Sequence, residues 1–287
     1  RQRQMCIRDR LITVAGENAP RMGKAQGEIE KIKDGVVLVS GDKILYAGDK
    51  KNAPKYEKSD DFVLIDGTGK TVTPGLIDSH THLVHGGSRE NELDMKLNGV
   101  TYLEILERGG GIMSTLKQTK EMSEDELFEQ AKKSVERLIS YGVTTIEAKT
   151  GYGIDDFNTE MKQLNVADRL GKELPVDIVK TFMAAHAIPE KYKSNPGEFI
   201  DIVINDYLPK IEADGRCKFC DVFCEKGVFN AEDSKRLLEA AKKHGLTPKI
   251  HADEIEEIGG TKTAADVRAI SAEHLIKCSE KGVDELK

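Results

Sequence analysis

The sequence has 287 residues, 38% of them hydrophobic, with 43 basic and 50 acidic side chains and a net charge of −7. This suffices for one large domain or two modest ones, and the interspersed signs leave no continuous basic face for nucleic acid. No stretch approaches the ~18 consecutive apolar residues of a membrane helix, and no charged-then-apolar signal segment opens the chain, so the reading is of a soluble, cytoplasmic protein with no membrane partner. Cys6, Cys217, Cys220, Cys224 and Cys278 are odd in number and clustered, which points to free thiols in a reducing compartment.

In chain order, residues 1–10 hold four arginines and begin without Met. They show neither strand nor helix periodicity and read as a non-native leader. Residues 11–71 read as a small N-terminal β unit, β-sandwich-like. Val36 to Val39 and Ile44 to Ala47 form a hairpin around Ser40-Gly41-Asp42, and Phe62 to Ile65 form a third strand. The run Gly67-Thr68-Gly69-Lys70-Thr71 is no phosphate loop, because Leu64 stands where such a loop needs glycine.

From 72 to 287, short apolar strands alternate with helical stretches, the pattern of a parallel sheet with crossover helices. Strands are expected at 72–83, 142–148, 176–186, 217–224, 246–252 and 269–275. Ser123-Glu124-Asp125-Glu126 predicts a capping box, followed by the apolar face Leu127, Ala131, Val135, Leu138 and a stop at Gly142. A second helix is expected over 231–244, with His244 as a helix-end residue. About six strand–helix units fit a (β/α)8 TIM barrel missing its last strands, since eight strands close that barrel in ~250 residues. An open doubly wound sheet is the structural alternative, and it would need no further strands.

His80 and His82 stand two apart at the end of an apolar strand, so the period of two puts both imidazoles on one face. His251 ends the predicted fifth strand and His274 the sixth, and barrel sites are assembled from such ends. Neutral imidazoles suit zinc or iron, and His80, His82 and His251 are the expected metal set. Cys217, Cys220 and Cys224 mimic zinc-ligand spacing, but Cys220, Val222 and Cys224 alternate within a strand and read as buried apolar residues. His85 and the Gly109 to Gly111 loop are left out of the metal set.

The run Pro74 to Glu90, Pro-Gly-Leu-Ile-Asp-Ser-His-Thr-His-Leu-Val-His-Gly-Gly-Ser-Arg-Glu, resembles the amidohydrolase superfamily. Gly86 to Glu90, Asn98-Gly-Val-Thr-Tyr102, Arg108-Gly-Gly-Gly-Ile, Glu147-Ala-Lys-Thr-Gly-Tyr152-Gly, Ala185-His186-Ala, Cys220-Asp-Val-Phe-Cys224 and His251-Ala-Asp-Glu254 resemble the imidazolonepropionase family within it. The resemblance runs from about residue 11 to the end.

It implies hydrolysis of the cyclic amide C–N bond of 4-imidazolone-5-propanoate to N-formimino-L-glutamate, in histidine degradation. One zinc or iron ion, held by His80, His82 and His251, would lower the pKa of water towards ~7. Glu254 and His274 are the candidates for proton transfer and carbonyl polarisation. Arg89, Tyr102, Tyr152, His186 and Glu254 are implied to contact substrate, with the planar Arg89 suited to the propanoate arm. A homodimer is implied as well. Another amidohydrolase, such as a nucleobase deaminase, would share His80, His82, His251 and His274, and a catalytically silent barrel scaffold is the reading from a different class. The family carries a further aspartate ligand on its last barrel strand, beyond Lys287, so the chain is read as C-terminally truncated. A molecule without that segment is expected to bind metal weakly, to aggregate and to turn over little.

Overall fold

The structure, a computed structural model, describes residues 2–6, 10–16, 21–55, 62–101, 104–105 and 110–287. By its internal contacts the chain divides into Arg1–Gly75 and Leu76–Lys287.

The first unit holds β1 (Gln2–Cys6), β2 (Arg10–Ile12), β3 (Lys31–Ile32), β4 (Gly35–Ser40), β5 (Lys43–Asp49), β6 (Val63–Asp66) and β7 (Thr71–Val72). They make two small sheets, ordered β5-β4-β1-β6 and β3-β2-β7. β4 and β5 are the predicted hairpin, turning at Gly41 with φ 60°, a conformation that glycine adopts without a Cβ penalty. Gln2–Cys6, where the sequence shows no periodicity, form β1 as an inner strand, antiparallel to β4 from Gln2↔Ser40 to Cys6↔Val36 and parallel to β6. A strand between two partners takes its form from their ladders, so it needs no alternation of its own.

The second unit is a parallel sheet of β8 (Leu76–Thr81), β9 (Val143–Lys149), β10 (Asp177–Phe182), β11 (Phe219–Cys220), β12 (Phe223–Cys224), β13 (Thr247–Ala252) and β14 (Ser271–His274). β11 and β12 share one position, bridged where Asp221 N–H donates to the Phe182 carbonyl at 2.9 Å and Phe223 N–H to the Ala185 carbonyl at 3.0 Å. The six positions then follow one another in chain order, every pair parallel. That is barrel topology. A doubly wound sheet reverses its strand order, so this alternative is excluded.

The first and third expected strands are shorter than predicted, and so are the fourth, broken into β11 and β12, and the sixth, reduced to Ser271–His274. The first begins only at Leu76, because Pro74 has no N–H to give and Thr71–Val72 pairs with β2 instead. The third stops at Phe182, because Met183 N–H donates to Thr150 Oγ1 at 2.9 Å rather than continuing the ladder. The chain is thereby free to turn and bring in His186.

Helix Glu124–Ser140 opens on the predicted Ser123/Glu126 capping box and buries Leu127, Ala131 and Val135. Its neighbour Phe157–Glu173 covers the same stretch of sheet, and Phe128, Ile146 and Leu170 fill the layer between. Helix Ala231–Lys243 is capped by Asn230 and ends at His244, whose Nδ1 pairs with Glu212 at 2.7 Å. A larger core joins Phe182, Phe199, Cys220, Phe229, Leu237 and Ile250. Cys220 and Cys224 are buried free thiols there. No helix among the described residues is long and apolar enough to cross a membrane.

Candidate metal centre and active site

β8 carries His80, and His82 follows one residue past its end; β13 carries His251 and pairs with β14 so that His251 faces Glu273 and Ala252 faces His274. One ligand nitrogen from each of His80, His82 and His251 lies within 4.8 Å of the others. Two of the rings have a carboxylate behind them: His80 Nδ1 is 2.8 Å from Glu273 Oε2, and His251 Nδ1 is 3.1 Å from Asp221 Oδ1. His251 Nε2 and His82 Nδ1 are buried without a protein partner. An unpaired buried nitrogen costs ~1–3 kcal/mol, a cost that a bound cation would relieve. Burial, followed by the neighbouring imidazoles, holds the His82 pKa well below the ordinary range, keeping a lone pair available. The residues fit a metal ion.

Beneath the imidazoles lies a network of buried charge. Lys149 Nζ, fully buried, sits 2.8 Å from Asp221 Oδ2 and 3.1 Å from Glu147 Oε1. Lys249 Nζ is 2.7 Å from Glu147 Oε2 and 3.0 Å from Glu273 Oε1. Thr181 Oγ1 donates to Glu147 and Ser271 Oγ to Glu273. Against the opposing effect of burial, the His251 imidazole and the Lys149 ammonium hold the Asp221 carboxyl far below the usual carboxylate range. The sequence carries a signal of this network: strands of a parallel sheet should be apolar, yet Glu147 and Lys149, Lys249 and His251, and Ser271 and Glu273 occupy alternate positions of three of them.

The loops beyond the strand ends carry the other candidates. After β9, Glu160 accepts the N–H groups of Gly153 and Ile154 at 2.7 Å and of Gly151 at 3.1 Å, while Gln163 accepts that of Tyr152 at 3.1 Å. This turn puts the Tyr152 ring 5.7 Å from His82 and 5.4 Å from His186. His186 stacks on His82, centroids 4.3 Å apart and planes 3° from parallel, and its Nδ1 is 3.1 Å from the Gly151 carbonyl. Burial first, then His251, brings its pKa down to about 3. After β13, Glu225 holds the segment bearing Glu254 through the backbone N–H groups of residues 254 to 256. His274 lies 5.3 Å from the His80 ring and 5.1 Å from the His251 ring, with its Nε2 3.7 Å from Glu254 Oε2. His274 has φ 69° and Leu275 φ 54°, a left-handed pair costly for residues with a Cβ.

A cleft of about 350 Å³ opens beside His82, lined also by His85, Ser88, Arg89, Thr115 and Tyr152. Arg89 Nε is 3.3 Å from Glu92 Oε2 and its side chain is 37% exposed, so it is restrained but reachable from solvent. The structure thus brings His274 and Glu254 to the His80, His82 and His251 group, and Arg89, Tyr152 and His186 beside His82. Tyr102 lies outside the described residues.

The amidohydrolase family matches residues 71–286. The imidazolonepropionase of Alkaliphilus metalliredigens (strain QYMF) is 51% identical over 276 residues, covering 96% of this chain and 65% of the relative. That of Alkaliphilus oremlandii (strain OhILAs) is 51% identical over 273 residues, covering 95% and 64%. The chain therefore spans less than two thirds of the length of these curated relatives. Among solved structures, A. niger ochratoxinase is similar in fold, with a TM-score of 0.60 at 15% identity, over 99% of this chain and 63% of that one.

Proposed function

This chain belongs to the amidohydrolase family, and from that premise we propose that the whole protein hydrolyses the ring amide of 4-imidazolone-5-propanoate to N-formimino-L-glutamate. Zinc or iron on His80, His82 and His251 would supply the Lewis acidity that makes a nucleophile of water at neutral pH. The observation that carries the reading is the meeting of these three imidazoles, from the end of β8 and from β13, beside a cleft lined by a guanidinium.

Arg89 binds the propanoate carboxylate through its planar fork, which requires that it loosen from Glu92. Tyr152 and the neutral His186 hold the imidazolone ring, and Tyr102 joins them by the family resemblance. Water adds to the ring carbonyl carbon, the C–N bond breaks, and a proton passes to the departing ring nitrogen. Glu254 and His274, with Oε2 and Nε2 3.7 Å apart, divide the proton transfer and the polarisation of the carbonyl between them. Cytoplasmic residence and a homodimer belong to the same reading. The likeness at 51% identity to two imidazolonepropionases supports it over a nucleobase deaminase.

The test is to offer the purified whole protein 4-imidazolone-5-propanoate, guanine and cytosine in parallel. Consumption of the imidazolone alone is expected. Ammonia release from either base would transfer the reading to a deaminase, and no turnover of any of the three would favour a silent barrel.

A further inference from the structure

We infer that Asp221 and Glu273 are positioning residues for the metal ligands: anchored by Lys149 and Lys249, they fix the Nδ1 proton of His251 and His80 and so aim each Nε2 at the ion. The inference rests on the metal-dependent reading above and assigns work to a buried network that the reaction itself does not touch.

The division of oxygens carries the argument. Asp221 gives Oδ2 to Lys149 at 2.8 Å and Oδ1 to His251 at 3.1 Å. Glu273 gives Oε1 to Lys249 at 3.0 Å and Oε2 to His80 at 2.8 Å. Each carboxylate is thus held at one oxygen by a lysine and presents the other to an imidazole. A network serving packing alone would have no need of this split, since Glu147 already bridges the two lysines at 3.1 and 2.7 Å. Val222 N–H, 2.8 Å from Asp221 Oδ1, further fixes that carboxylate's plane. A carboxylate facing Nδ1 keeps the proton there, leaving the Nε2 lone pair as the ligand, and loss of such a partner costs metal sites about 10–100-fold in affinity.

The network also explains how ligands from distant strands stay in register. β8 and β14 are the two edges of the described sheet. The His80–Glu273 contact joins them directly, and Lys149 links β9 to Asp221 between β11 and β12, the carboxylate behind the ligand on β13. A shift of any one strand would move a ligand unless the carboxylates moved with it.

Two measurements on the whole protein decide the inference. In the metal-free protein, nitrogen-15 spectra of the histidine side chains should find His80 and His251 with the proton on Nδ1, and Glu273→Gln should abolish that preference for His80 while leaving His251 unchanged. In competition with a chelator, Glu273→Gln should weaken zinc about 10–100-fold. Asp221→Asn should do the same for His251; should it fail to fold, the tautomer of His251 in the unaltered protein still decides its half. Protons on Nε2 of both rings, or a Glu273→Gln protein with unaltered zinc affinity and unaltered His80 tautomer, would overturn the inference while leaving the metal reading in place. A whole protein that binds no zinc at all would overturn the metal reading, and the metal-free tautomers would still separate that failure from this one.

Discussion

Glu225 accepts the backbone N–H of Glu254 at 2.9 Å, so the residue proposed to move protons sits on a segment that is itself hung from a buried carboxylate. The same carboxylate takes the N–H groups of Ile255 at 2.9 Å and Glu256 at 3.1 Å. Glu225→Ala would leave four donors without their acceptor, these three and the Lys226 N–H at 2.7 Å, at a cost of ~1–3 kcal/mol for each one that water cannot reach. A lower unfolding midpoint is expected together with at least a tenfold fall in kcat, and Glu225→Gln should fall between the two proteins. Steady-state kinetics beside urea unfolding checks this, and unchanged kcat in the alanine variant would show that Glu254 needs no such support.

Gly151 turns the chain at φ 115°, and a Cβ there would stand 2.8 Å from both His186 Cβ and the Met183 carbonyl oxygen. Gly151→Ala therefore pushes His186 away from His82 and Tyr152 out of the cleft. Backbone strain of ~1–3 kcal/mol should appear as lost stability, and KM for the imidazolone should rise more than kcat falls. Equal KM in the two proteins would remove Tyr152 and His186 from substrate binding.

What the sequence made legible was whatever depends on near neighbours. The capping box at Ser123 and Glu126, the turn at Gly41 and the alternation that put His80 and His82 together are fixed by residues within a few positions of one another. The charge network was not legible, because its pairs are remote: Lys149 meets Asp221 across 72 positions, Lys249 meets Glu147 across 102, and His80 meets Glu273 across 193. Nor could local pattern reveal β1, whose form comes from the ladders on either side of it. The early stop of β10 depended on one hydroxyl, that of Thr150, in a different loop.

Cys220 and Cys224 are buried and Cys217 is half-buried against the same core, and all three should resist labelling. Burial pushes the Cys217 thiol up to about 12 and the Cys224 thiol up to about 11, and raises that of Cys220 as well. In a variant with Cys6 and Cys278 replaced by serine, a thiol reagent at pH 8 should label nothing in the native state and three thiols in guanidinium. Rapid native labelling would contradict the burial, and one zinc lost per three thiols exposed would restore the metal reading of that cluster.

Asp168 accepts from Lys172 at 2.6 Å and Lys180 at 2.9 Å, and these two ammonium groups bring its pKa down to about 2. Because the folded value lies below the unfolded one of ~3.9, its contribution is complete above about pH 4 and is lost as the pH falls through about 2. Solvent screening keeps that contribution below ~1 kcal/mol. Asp168→Asn should therefore lower the unfolding midpoint slightly at pH 7 and not at pH 2. A difference that grows on acidification would reverse the assigned sign.

The most direct measurement of the central claim is elemental analysis of the purified whole protein beside its His251→Ala variant, with imidazolone turnover recorded on the same samples. About one zinc or iron per chain with turnover is expected in the unaltered protein, and loss of both in the variant. An unaltered protein that turns over substrate without metal, or a variant that keeps both the ion and the activity, would contradict the account.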